Sequence, residues 1–351
     1  MASASLPTVG GNMPAPDRQP LGGARAAPGF RGAPGRRVTA LGLLLFACSG
    51  PRLPVPDAGT PDAGDGPDAG PGPGDGGPTA DGGSTANPWR LSVLTINLWH
   101  DFPGFSNLEA RTKIVSAFIA ARRPDLVAVQ EAGQGATLGN RCEVLAQQTG
   151  YACRWISAGG TPAVFAEGPG VLSRWPILDV AHLDLPHPQE SGLVRRKALW
   201  TSVETPRGVV RLVSTHFSNG EGAAAESDRL DQAVALEAFV EQRAGGLSTL
   251  IGGDFNSAPD SAAPRFLRGA LAVGGVTSRL RDAWLEASPT LPGYTEPAAN
   301  PTARIDYIYA APAASAGARA IACEVVLEAL VNGIRASDHL GVLCELELNA
   351  P

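Results

Sequence analysis

The chain has little positive charge to spare. Its 28 lysines and arginines face 34 aspartates and glutamates, a formal net charge of −6 over 351 residues. That balance argues against holding nucleic acid by charge alone, which needs a basic surface. It does not exclude an enzyme that meets a polyanion through a metal ion, because the cation then supplies the local positive charge. Cysteine is scarce as well, with five in all, and no CxxC spacing suggests a zinc site. No glycine-rich loop follows a strand and opens a helix, so a dinucleotide or phosphate cradle of the Rossmann or P-loop kind is not expected. The apolar run Val38 to Ala47 is too short to span a bilayer, which takes about 20 residues.

Glycine (43) and proline (31) are abundant and unevenly spread. Residues 1–37 are rich in Gly, Pro, Ala and Arg, with no periodicity that could build a core. Arg36 and Arg37 then precede the apolar run, which has the length of a secretory h-region and ends at Cys48. The segment "LFAC" resembles the lipobox of bacterial lipoproteins, in which the cysteine is lipidated; an ordinary cleaved signal or a buried core segment are the other readings. A translation start nearer Met13, or later, fits a signal n-region better than Met1. From Pro56 the chain repeats PDAG three times. Low hydrophobicity with Pro, Gly and Asp cannot offset chain entropy, so this stretch reads as a linker. The organisation expected is 1–48 extension and signal segment, 49–87 linker and 88–351 folded domain. The protein would then be exported, anchored to a membrane through Cys48 and facing the periplasm or the cell exterior, or else secreted.

The remaining cysteines, Cys142, Cys153, Cys323 and Cys344, suit disulfides in an exported chain. Local pairing, Cys142 with Cys153 and Cys323 with Cys344, closes the shortest loops. Buried free thiols are the alternative.

From Pro88 the texture becomes that of a fold. "WRLSVLTIN" alternates as a strand, and "SNLEARTKIVSAFIAARRP" opens on a Ser/Asn cap and repeats apolar residues at helical spacing. "PDLVAVQEA" reads as a buried strand. A helix over 140–149, a strand near 151–157 and shorter strands on either side of Pro176 follow. A hairpin turns at Arg207 and Gly208, a helix covers 223–243, and "LSTLIGGDFN" is the next buried strand. The tail segments "RIDYIYAA", "AIACEVVLEAL" and "LGVLCELEL" supply the last strands. Mixed strands in two groups with few helices suggest an α+β domain of two packed sheets covered by helices.

Polar groups recur where these strands end. Asn97, Glu131, His216, Asp254 and Asn256 close strands; Asp306 sits in "RIDYIY"; Asp338 and His339 open the last strand. An apolar strand has no structural need for a carboxylate or imidazole at its tip. One such residue is an ordinary turn former; the ordered set, drawing on only five histidines, points to one site.

In that order the set resembles the endonuclease/exonuclease/phosphatase superfamily across about residues 90–349. The resemblance implies a four-layer αββα sandwich of two mixed sheets flanked by helices, with one site at the sheet ends. It implies Mg²⁺, or Mn²⁺ or Ca²⁺, held by Glu131 with Asn97 and Asp338 nearby, a hard oxygen set. Asp254 would orient or deprotonate the attacking water and Asn256 would bond a phosphate oxygen. His339 would contact the scissile phosphate, oriented by Asp306, and His216 would stabilise the transition state or protonate the leaving oxygen. The chemistry implied is in-line hydrolysis of a phosphodiester. Nucleic acid leads as substrate, with a phospholipid, as for sphingomyelinases, as the alternative, and an inactive binding module of the same fold as the third reading. The "WCDR"-type stretch of inositol phosphatases is missing. Trp99 stands where repair-type nucleases carry an acidic residue, and the stretch "HLDLPHPQESGLV" has no aromatic residue. A monomer is expected. His100, His182 and His187 are expected at the surface, Arg195–Lys197 as a solvated edge, and Arg304 near the site.

Overall fold

A computed structural model describes residues 89–348, apart from 101–106, 136–137, 162–164, 188–194 and 314–316. The signal-like segment, Cys48 and the whole linker therefore lie outside the described residues. The chain opens with β1 (Trp89–Asn97), α1 (Leu108–Arg122), β2 (Leu126–Gln130), β3 (Gln134–Gly135), β4 (Gly139–Asn140) and α2 (Arg141–Thr149). There follow β5 (Ala152–Trp155), β6 (Gly159–Thr161), β7 (Phe165–Glu167), β8 (Gly170–Ser173), β9 (Ile177–Asp184), β10 (Lys197–Thr205) and β11 (Gly208–His216). The rest comprises α3 (Gly222–Ala244), β12 (Thr249–Asp254), α4 (Ala262–Leu267), β13 (Arg281–Asp282), α5 (Ala283–Ala287), β14 (Asp306–Ala310), β15 (Ala318–Val326) and β16 (Gly341–Leu348).

Two six-stranded sheets form the body, in the orders β15-β16-β1-β2-β8-β5 and β13-β14-β12-β11-β10-β9. Each has a parallel pair at its centre, β1 with β2 and β11 with β12, and antiparallel neighbours outside. Both faces of the central strands are buried, and the two faces feed different cores. Leu91 and Val93 join Leu126, Leu212, Leu250 and Ile308 in one cluster, while Leu94 and Ile96 join Val115, Ile119, Val127 and Leu145 of α1, β2 and α2 in another. Val213 and Ile251 pack with Leu236, Phe239 and Phe266 of α3 and α4 in a third. Three cores between four layers give helices, sheet, sheet, helices, the α+β sandwich expected. Strands buried on both faces also explain their near-continuous apolar runs.

Close approach of the sheets depends on small residues. A Cβ on Gly252 would lie 2.8 Å from Ala128 Cβ and 3.2 Å from Thr95 Cβ of the facing sheet. Ser214 Oγ donates to Val129 O at 2.8 Å across the same gap, and Gln130 Nε2 donates to Ser214 Oγ at 3.2 Å. These bonds satisfy polar groups that burial would otherwise penalise.

Several local expectations change. Asn107 occupies the N-cap of α1 in the left-handed region and supplies no side-chain cap bond. The hairpin pairs Thr205 with Gly208, so its turn residues are Pro206 and Arg207 and Gly208 opens β11. Cys323 and Cys344 are disulfide-bonded across the paired strands β15 and β16. Cys142 and Cys153, in contrast, are free thiols. The Cys142 and Cys153 side chains are in hydrogen-bonding contact with each other, and the Cys142 sulfur also lies 3.6 Å from Arg154 O and 3.8 Å from Val171 O.

Candidate active site

The two central parallel pairs run the same way to one rim, so their C-terminal ends deliver Asn97, Glu131, His216 and Asp254 together. The antiparallel neighbours begin there: Asp306 pairs with Asp254 at the start of β14, and Asp338 and His339 lie within three residues of the start of β16. All eight residues expected from the sequence reach this rim.

Asp254 is its centre, 1% exposed. Asn97 Nδ2 donates to Asp254 Oδ2 at 3.0 Å and to Glu131 Oε1 at 3.1 Å, tying the two sheets together. Asp254 Oδ1 accepts from the Asn256 amide at 2.8 Å. His216 Nε2 and His339 Nε2 lie 3.4 and 3.8 Å from Asp254 Oδ2. Asn256 Nδ2 donates to Phe217 O and to His216 Nε2, each at 3.1 Å. Glu131 and Asn256 hold φ of +50° and +48°, a region costly for residues other than glycine and concentrated at functional sites.

The charges are set by burial and neighbours. Burial pushes the Asp254 carboxyl up to about 7, His339 working against the rise and Asp306 adding to it. For His339 burial opposes protonation, but Asp306, whose Oδ2 accepts from Nδ1 at 3.0 Å, and Asp254 push its proton affinity well above the ordinary value. His216 goes the other way: burial first, then the cations Arg196 and His339, hold it well below. It is therefore neutral while His339 is an imidazolium. The Asp338 carboxyl is raised by burial, an effect His339 counters and Glu131 reinforces.

Those mutually repelling carboxylates provide the test of a metal. Glu131 and Asp338, with the Asn97 carbonyl oxygen, are a hard oxygen set that suits Mg²⁺, Mn²⁺ or Ca²⁺. The Asn97 oxygen accepts from the Trp99 amide at 2.9 Å and keeps a second lone pair. Asp254, Asp306 and His339 form a separate group whose ligand atoms all lie within 4.8 Å.

Three further residues belong here that sequence reasoning placed elsewhere or passed over. His100, expected at the surface, lies 3.7 Å from Glu131 Oε2 and 3.9 Å from Glu167 Oε2. Glu167 is buried at the end of β7; no pattern in so short a strand marks it. Arg196, expected on a solvated edge, is buried with Nη1 at 3.2 and 3.3 Å from the two His216 ring nitrogens. Exposed Arg195 and half-buried Lys197 on either side show the strand alternation that could have marked it. Arg304 is a correction in the opposite sense. Its guanidinium is buried in an ion pair with Asp282 at 2.9 Å and lies over the Tyr307 ring, so it serves the fold. His182 is exposed and His187 sits 3.2 Å from Arg195 Nη1.

Residues 94–339 match the model of the Endonuclease/Exonuclease/phosphatase family. No curated protein matches the chain. Among solved structures, an endonuclease/exonuclease/phosphatase from Bacteroides vulgatus is similar at 22% identity and a TM-score of 0.58, over 74% of this chain and 100% of its own. The human nocturnin catalytic domain with bound sulfate matches at 18% identity and 0.59, over 74% and 94%. Zebrafish (D. rerio) TDP2 complexed with a single-strand DNA product matches at 18% identity and 0.57, over 73% and 98%. At these identities the structural likeness shows the shared fold, while the family match covers most of the chain. The protein belongs to the endonuclease/exonuclease/phosphatase family of hydrolytic phosphoesterases.

Proposed function

We infer that the protein is a divalent-metal-dependent phosphodiesterase that hydrolyses its substrate by in-line attack of water. The observation that carries this reading is Asp254: a buried carboxylate with a proton affinity near neutrality, flanked by a neutral and a charged imidazole and joined by Asn97 to Glu131. Fold alone would not carry it. Asp254 takes a proton from the water, which its affinity of about 7 suits at neutral pH. Asn256, held by its own bond to Asp254, presents its amide to a phosphate oxygen. His339, kept charged by Asp306, donates to the scissile phosphate. His216 and the neighbouring Arg196 serve the leaving side, the arginine as a fixed positive charge against the developing negative one. Glu131 and Asp338, with Asn97, would hold the cation, and Mg²⁺ bound there would neutralise phosphate charge in the transition state.

Within that reaction class, nucleic acid is the substrate we favour, on the strength of the fold shared with a protein seen with a DNA product. The domain acts as a monomer, since one chain supplies every site residue. Residues 1–48 export and anchor it through Cys48, and 49–87 act as its tether. The Cys323–Cys344 disulfide supports an oxidising compartment. Offering the full chain plasmid DNA, single-stranded RNA, sphingomyelin vesicles and bis-p-nitrophenyl phosphate with Mg²⁺, beside Asp254→Ala, tests the substrate. Lipid turnover alone would move the protein to the phospholipase branch. Silence on all four would leave either a specialised small phosphoester as substrate or the inactive binding module. Cys48→Ser should release the protein from membranes; unchanged association would remove the anchor.

A further inference from the structure

Beside the rim, three side chains from separate parts of the fold converge: His100 from the segment after β1, Glu131 from the end of β2, and Glu167 from the end of β7. Their ligand atoms all lie within 4.8 Å of one another. The spacing is informative. Charged hydrogen bonds between an imidazolium and carboxylates close to about 2.7–2.9 Å, whereas His100 Nε2 stands off Glu131 Oε2 by 3.7 Å and Glu167 Oε2 by 3.9 Å. Ligands about 2.0–2.2 Å from a shared tetrahedral ion sit roughly 3.4 Å apart. The observed gaps are thus a few tenths of an ångström wider than a metal needs and too wide for direct bonding.

The two oxygens of Glu131 face different ways. Oε1 accepts from Asn97, on the side of the Asp254 centre, while Oε2 accepts from the His100 backbone amide at 2.8 Å. The backbone that presents His100 is held firmly. Arg141 Nη1 donates to Leu98 O and Trp99 O at 2.7 and 2.9 Å, and Arg111 Nη1 to the same carbonyls at 3.2 and 2.8 Å. A ligand anchored this way loses little freedom when it binds.

We propose that His100, Glu131 and Glu167 form a second metal site, distinct from the hard oxygen set of Asn97, Glu131 and Asp338, and that it takes Zn²⁺. One imidazole nitrogen with two carboxylate oxygens is the donor set of a borderline cation; Mg²⁺ prefers oxygen alone. Glu131 is the shared carboxylate. An ion there joins β7, in the small four-stranded sheet, to the ends of β1 and β2 and so stiffens one wall of the rim. The site goes beyond the phosphodiesterase reading and does not depend on it.

The test uses the full chain, stripped with chelator and returned to excess Mg²⁺, titrated with Zn²⁺ by calorimetry, and with Co²⁺ as a spectroscopic probe. The wild type should bind Zn²⁺ tightly against the Mg²⁺ background, gain thermal stability from it, and give a Co²⁺ absorption spectrum of tetrahedral type. His100→Ala and, separately, the shape-preserving Glu167→Gln should weaken Zn²⁺ binding roughly 100-fold or more and lose the Zn²⁺-dependent rise in Tm, with far-UV circular dichroism unchanged. A wild type that ignores Zn²⁺ in Mg²⁺, or a folded Glu167→Gln that binds it equally well, overturns the site. Mg²⁺-supported hydrolysis, read on the same samples, judges the phosphodiesterase reading separately.

Discussion

His216 and His339 approach the same oxygen of Asp254, at 3.4 and 3.8 Å, yet their surroundings drive their proton affinities in opposite directions. Burial opposes protonation of both rings; for His339 the carboxylates of Asp306 and Asp254 overcome it, whereas for His216 the guanidinium of Arg196 adds to it. One carboxylate thus has a cationic imidazole on one side and a neutral one on the other. This gives the rim a proton donor toward phosphate in His339 and leaves Asp254, with its affinity near 7, as the base.

In the metal-free protein at pH 7, imidazole NMR should find His216 neutral and His339 protonated. Asp306→Asn removes the charge that faces Nδ1, so the His339 midpoint should fall, by roughly 1–3 units, while His216 stays neutral. If both rings titrate together near the ordinary histidine value, the assigned charges are wrong.

The Asp254 carboxyl links the site to stability. Its affinity is raised from 3.8 to about 7, chiefly by burial. A carboxyl raised by folding binds its proton more tightly folded than unfolded. Its contribution is therefore whole below about pH 3.8 and is lost as pH rises through about 7. Asp254→Asn, with no charge to bury, should unfold at higher temperature than the wild type at pH 8, both metal-free, by about 1–3 kcal/mol. The gap should narrow toward pH 5 and close only below about pH 3.8. Calorimetry showing Asp254→Asn equally stable or weaker at pH 8 would count against a buried, strained charge.

Gly252 tests the sheet packing that brings both halves of the rim together. Gly252→Ala puts a methyl 2.8 Å from Ala128 Cβ in the facing sheet, which should cost about 1–3 kcal/mol. Ala128→Gly in the same molecule should recover part of the loss, a coupling expected of residues in contact. An unchanged Tm for Gly252→Ala would mean that the sheets do not meet there.

Much of this site is legible in the sequence because burial makes it so. A strand apolar on both faces that ends on Asn97, Glu131, His216 or Asp254 breaks its own pattern, and each break marks the rim. What stayed hidden lacks such a pattern. His100 follows a strand by three residues in a loop, and Glu167 closes a strand of three residues. Arg196 sits between two other basic residues, so composition alone makes it a surface charge although its side chain turns inward. Arg304 misled because proximity in sequence to Asp306 says nothing about its direction; its guanidinium goes to Asp282. Cys323 and Cys344 lie opposite each other on adjacent strands and are bonded, whereas Cys142 and Cys153, from α2 and β5, meet as neighbouring free thiols.

The central claim is that Glu131 and its neighbours hold a cation that hydrolysis requires. The direct measurement is the rate of bis-p-nitrophenyl phosphate hydrolysis by the wild type and by Glu131→Gln, in chelator and after restoring Mg²⁺. The wild type should fall to background in chelator and recover with Mg²⁺. The folded variant should lose roughly 10³-fold or more in kcat/KM, the loss of several kcal/mol of transition-state stabilisation. Full hydrolysis in metal-free buffer, or wild-type rates from Glu131→Gln, would contradict the account.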